Sequence, residues 1–150
     1  MIILCISIII FNVIAFSANK HLTKSQIVQM WTFTIAFQSL VDMFVGVKYK
    51  GYWYFSRDID LLYLLPITVL IPPINMLFIN WYPFKASLTK KTLYFIYWLI
   101  FMLSYELLIL LPAPWGYFNY GWWNLLYSAI VYPLLLFLVL KFYKWISSFS

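Results

Sequence analysis

Only two acids lie inside long apolar runs of this chain, Asp42 and Glu106. A carboxylate pair can act as general acid and base, or hold a divalent ion for a diphosphate. It can also bind a ligand or relay a proton or ion. Asp42 lies six residues before Lys48, and Glu106 lies six residues before Pro112. At 1.5 Å of rise per helical residue, each carboxylate sits roughly 9 Å inside its segment end, so the two share a depth. Other polar residues fall on stripes. Thr34, Gln38 and Asp42 share one helical face, as do Asn124, Tyr127, Ser128 and Tyr132, and Thr68 and Asn75. Lipid cannot satisfy such groups, so the stripes are expected to turn inward. This predicts a polar cavity with Asp42, Glu106, Gln38, Asn75, Asn124 and Tyr127 as ligand-binding residues. Arg57 or Lys48 would reach in as counter-charge. The competing reading is inter-helix hydrogen bonding that only fixes packing.

Other chemistry is not encoded. His21 has no cysteine or histidine neighbours at metal-ligand spacing, and Cys5 sits in an apolar run. There is no phosphate-binding glycine loop and no nucleophile elbow. No catalytic residue, metal or cofactor is therefore expected.

The elements that must position these groups follow from composition. Of the 150 residues, 65% are hydrophobic and 9% are charged, against about 45–50% and 25% in soluble domains. This excludes an ordinary soluble domain, a disordered chain and a disulfide scaffold. The pattern predicts an all-α fold: a polytopic transmembrane helix bundle forming a single domain over 1–150. About five spanning helices are expected, at 1–17, 27–47, 61–81, 92–111 and 123–145, each close to the roughly 20 apolar residues a bilayer needs. The first is read as a retained helix and not a signal peptide, because nothing basic precedes Lys20. Pro66, Pro72 and Pro73 should kink or break the third helix near its middle, and Pro133 should kink the fifth.

Seven of the ten basic residues (Lys20, Lys24, Lys85, Lys90, Lys91, Lys141 and Lys144) fall on one side of such a bundle. That side should be cytoplasmic, placing the N-terminus outside and the C-terminus inside. The net charge of +6 is spread over loops, so nucleic acid is not an expected partner. Membrane lipids are. Aromatics make up 23% of the chain and crowd loops 48–60 and 112–122. The plain reading of both is an interfacial belt. The sharper one is an aromatic lid, with Pro112, Pro114, Gly116 and Gly121 shaping a re-entrant cap.

Four segments carry a likeness: Val41-Asp42-Met43 with Lys48-Tyr49 and Tyr52-Trp53-Tyr54-Phe55; Pro72-Pro73-Ile74-Asn75 with Asn80-Trp81-Tyr82-Pro83-Phe84; Tyr105-Glu106; and Tyr117 to Pro133 around Tyr120-Gly121-Trp122-Trp123-Asn124. In this order they resemble a family of small, uncharacterised multi-spanning membrane proteins from endospore-forming Gram-positive bacteria, over most of 30–145. The resemblance implies a four- or five-helix membrane fold and no particular activity. It also implies polar residues at Asp42, Asn75, Glu106 and Asn124.

The expected function is that of a multi-pass cell-membrane protein binding a small molecule or lipid in an outward-facing cavity, as a transport or sensing component. The alternative is a membrane subunit that packs against a partner protein or its own copies. An intramembrane lipid-modifying enzyme is the third reading.

Overall fold

The computed structural model describes residues 2–55, 61–112 and 115–148. The chain is mostly helical: α1 (Ile2–Ser17), α2 (Lys24–Val41), α3 (Ile71–Trp81), α4 (Leu88–Ile109) and α5 (Leu125–Ser147). Three helical segments, Lys24–Gly46, Leu88–Ile109 and Leu125–Ser147, are long and apolar enough to cross a membrane. Their 22 or 23 residues cover about 33–35 Å, against roughly 30 Å of hydrocarbon. Ile2–Ser17 and Pro66–Trp81 are apolar but shorter.

Local chemistry sets the starts of these helices. Thr23 caps α2 in a reciprocal capping box with Gln26. The Ser87 hydroxyl accepts from the Lys90 N–H at the start of α4, and the Asn124 side chain accepts from the Tyr127 N–H at the start of α5.

The third segment, expected over 61–81 with a kink or break near its middle, is not continuous α-helix. It is a 3₁₀ turn (Leu61–Tyr63), a π segment (Pro66–Leu70) and then α3. Pro72 and Pro73 fall in the first turn of α3, where no backbone donor is needed. The Ile71 N–H bonds back to the Pro66 carbonyl, so the prolines change the helical register and do not open a gap. Likewise α2 ends at Val41 and continues as a π segment (Asp42–Lys48), which puts Asp42 at the junction.

The helical fold also carries one small β element. The two aromatic loops pair as a two-stranded antiparallel ribbon, β1 (Tyr52–Tyr54) with β2 (Phe118–Tyr120). Tyr52 faces Tyr120 and Tyr54 faces Phe118. Alternating aromatics suit a half-buried pleated surface, and the expected belt becomes a tertiary element. The ribbon is tied down by backbone bonds from Gly121 N and Trp123 N to the Gly51 carbonyl, at 2.8 and 3.0 Å, and from Phe55 N to the Tyr117 carbonyl at 2.7 Å.

The elements run alternately toward and away from this ribbon. Leu4, Ile67, Leu70 and Ile109 pack with Tyr52, Tyr54, Tyr117 and Phe118 at the ribbon end. Ala15, Met30, Phe78, Trp98 and Ile146 pack together at the other. Helix α3 is the axis, with every residue from Met76 to Asn80 buried. At its far end Asn80 accepts from the backbone N–H groups of Lys20 and His21, tying the α1–α2 turn to the core. Exposed Ile, Leu and Phe residues lie along α1, α4 and α5, on the surfaces a bilayer would cover.

Candidate functional site

Below the ribbon, a cavity of about 160 Å³ runs between α2, α3, α4 and α5. Its wall extends from Val41 to Phe33 along α2 and from Ser128 to Val139 along α5, about 12–16 Å of helix. Polar groups gather at the ribbon end, where Gln38, Tyr52, Tyr54, Tyr105, Glu106, Tyr117, Ser128 and Tyr132 line it. Thr34 and Asn75 form a polar band further in, where the Asn75 amide donates to the Thr34 hydroxyl at 3.0 Å. Phe33, Phe101, Met102, Leu135 and Val139 make the remainder apolar.

Glu106, 2% exposed, forms part of this wall. Its Oε1 accepts from the Ser128 hydroxyl at 2.8 Å and from the Tyr132 hydroxyl, and its Oε2 accepts from Tyr120. The direction of one link is fixed. The Trp123 indole N–H can only donate, and it reaches Ser128 Oγ at 2.8 Å, so the Ser128 proton points to Glu106.

Asp42, fully buried, holds a parallel set. Its Oδ1 accepts from the Gln38 amide at 2.9 Å and from the Tyr52 and Tyr54 hydroxyls. Its Oδ2 is buried without a hydrogen-bond partner among the described residues. Asp42 therefore stands behind the lining and acts on the cavity through Gln38, Tyr52 and Tyr54. Among the described residues, the bonding partners of both carboxylates are neutral.

The ribbon links the two sets. The cross-strand pair Tyr52 and Tyr120 projects from one face, one hydroxyl going to Asp42 and the other to Glu106. Tyr105 and Tyr117 share a further hydroxyl contact of 3.1 Å beside them.

The expected site residues separate in space. Gln38, Asn75 and Glu106 line the cavity, with Asp42 directly behind it. Asn124 and Tyr127, expected on the same face, stand outside the lining. Asn124 is spent on capping α5, and Tyr127 packs edge-on to Trp122 and tilted against Trp123 at the surface. Arg57 lies outside the described residues. Lys48, the other expected counter-charge, instead rests its ammonium over the rings of Phe44 and Tyr49, 5.7 and 5.2 Å from their centres. No group of three metal-ligating acids, histidines or cysteines occurs among the described residues. Sequence reasoning assigned Tyr52, Tyr54 and Tyr120 to a surface belt and so missed them as carboxylate partners. The available signal was the spacing of two between Tyr52 and Tyr54, and between Phe118 and Tyr120.

Tyr117, beside the ribbon, and Tyr120, within it, keep their phenolic protons over the ordinary pH range. Burial raises the Tyr117 phenol well above its usual value of 10.0, and the nearby Tyr105 adds to this. Burial, then the bond to Glu106 and its charge, raise Tyr120. The folded state thus keeps protons that the unfolded chain releases near pH 10. Their contribution to stability is complete below about pH 10 and declines as pH rises beyond it. Thermal unfolding in detergent should show a midpoint that falls from about pH 10 upward, with a shallower fall in Tyr120→Phe. An identical slope in both proteins would refute this assignment.

No protein-family model, curated protein or solved structure matches the chain.

Proposed function

We propose that the protein is a polytopic protein of the cell membrane that binds a small molecule, or one end of a lipid, in the cavity beneath the ribbon. In this reading five segments cross the bilayer, the N-terminus is outside, the C-terminus is inside, and the ribbon faces outward. The alternating directions of the elements and the seven-to-three division of basic residues support that topology. A transport or sensing component is the setting such a site suits.

The observation that carries the binding reading is the cavity itself, with carboxylate sets at one end and apolar side chains at the other. Packing alone would not need a void between four helices, because interiors are filled nearly as densely as crystals. The volume limits the guest. Drug-sized ligands occupy pockets of about 300–1,000 Å³, whereas a dry cavity of about 150 Å³ takes benzene. A whole phospholipid is too large, while a compact head group or a chain end is not.

Native mass spectrometry of the protein, gently extracted from its own membrane, tests this. A bound small molecule or lipid should be present in the wild type and depleted in Glu106→Gln and Asp42→Asn. A bare wild-type protein, or a ligand retained equally by both variants, would overturn it. A discrete complex with another protein would move the assignment to the subunit reading.

A further inference from the structure

Resting on that binding reading, we propose that the cavity is selective for a compact quaternary ammonium group. Three observations converge at its ribbon end.

The first is charge. Glu106 stands in the wall with Asp42 close behind, and their described partners are hydroxyls and one amide. These donors stabilise negative charge without cancelling it. In a low-dielectric site that charge attracts a cation much more strongly than it would in water.

The second is the rings. Tyr52, Tyr54, Tyr105, Tyr117, Phe118 and Trp123 all line this end. They pack as a continuous group, with Tyr52 to Phe118 at 5.2 Å and Tyr52 to Trp123 at 5.5 Å between centres. Electron-rich faces beside a carboxylate are what recognises alkylated ammonium ions.

The third observation decides which ammonium. A carboxylate offers about four lone-pair sites, and Tyr120, Ser128 and Tyr132 already occupy three on Glu106. A primary amine would have to displace those hydroxyls to satisfy its N–H groups. A quaternary head has no N–H to satisfy and needs only the field and the ring faces. Such a head is only slightly larger than benzene, in keeping with about 160 Å³. The apolar stretch beyond, at Phe33, Leu135 and Val139, would take an alkyl substituent. Hard metal ions are disfavoured, because the Tyr120, Ser128 and Tyr132 protons already point at Glu106 and no group of three metal-ligating acids, histidines or cysteines occurs among the described residues.

The test is calorimetric titration of the detergent-solubilised protein with choline and with 3,3-dimethyl-1-butanol, its uncharged carbon isostere. Choline should bind at least about ten-fold more tightly. Glu106→Gln should erase most of that preference. Phe118→Leu, which leaves both carboxylate sets intact, should weaken choline several-fold and the isostere little. This second variant keeps the test decisive should Glu106→Gln fold poorly. If the isostere binds as well as choline, the ammonium inference is overturned and the binding reading survives. If neither binds, the ammonium inference is overturned, while the binding reading stands or falls separately on the native mass spectrum.

Discussion

Replacing Glu106 by alanine should be among the most damaging single changes in this protein, costing about 3–5 kcal/mol of stability. The reason lies in what the carboxylate leaves behind. Ser128, 2% exposed, would still receive the Trp123 N–H but would have nowhere to donate, and the Tyr132 hydroxyl would lose its acceptor. Buried hydroxyls stripped of partners cost about 1–3 kcal/mol each, and the vacated volume adds a packing loss. Glu106→Gln should cost far less, about 1 kcal/mol. The amide oxygen can take the Oε1 position with its two donors, while the amino group meets Tyr120, whose hydroxyl can turn to accept. Asp42→Asn should likewise cost much less than Glu106→Ala. The Asn carbonyl replaces Oδ1, and relief of a buried charge offsets the amide N–H groups placed at the Oδ2 position, which has no partner among the described residues. Thermal or chemical unfolding in one detergent, on all three variants, measures this ranking. A Glu106→Ala protein as stable as the Asp42→Asn protein would show that the hydroxyls find other partners.

The second large effect is expected at Gly116. An added Cβ there would run into the backbone carbonyl oxygens of Ile109 and Leu111, closer than any real Cβ approaches. These atoms belong to the end of α4 and the turn after it, so no flexible side chain can yield. The displaced segment also holds the Tyr117 N–H on the Ile109 carbonyl at 3.0 Å, the link that seats β2. Gly116→Ala should therefore cost about 3 kcal/mol or more and loosen the ribbon. Gly46→Ala is the matched control. Its new Cβ would meet the Tyr52 carbonyl at 3.2 Å, inside a helical segment where alanine is favoured, and the change should stay within about 1 kcal/mol. Yield of monodisperse protein and the unfolding midpoint report both. Equal behaviour of the two variants would contradict the close approach at Gly116.

The helical part of this architecture was readable because its signal is periodic. Thr34, Gln38 and Asp42, and Ser128 with Tyr132, stand out as polar residues at helical spacing within apolar runs, and the structure turns both stripes toward the cavity or its carboxylates. The ribbon was not readable. Tyr52-Trp53-Tyr54 and Phe118-Asn119-Tyr120 alternate over only three residues each, and the partner of each strand is remote in sequence. Lys50 and Phe55 bracket β1 with left-handed backbone, a conformation those residue types do not advertise. The π segments were equally hidden, since one extra residue per turn leaves no compositional mark. Asn124 shows a different difficulty. It continues the Ser128 and Tyr132 face in register, yet an asparagine directly before an apolar helix is also a capping signal, and the backbone claims it first.

The remote pairing of the ribbon also sets an order of assembly. During synthesis α1, α2 and β1 are complete long before β2 exists, and α3 and α4 must be made and placed in between. Until then Tyr52 can reach Asp42, but the edge of β1 is unpaired and Glu106 lacks Tyr120, Ser128 and Tyr132. Closing so long a loop carries an entropic cost that local helix formation does not. Strand pairing and the sealing of the cavity must therefore follow the synthesis of β2 and the start of α5. A chain stalled before Phe118 would expose an aromatic strand edge of the kind that recruits chaperones or aggregates.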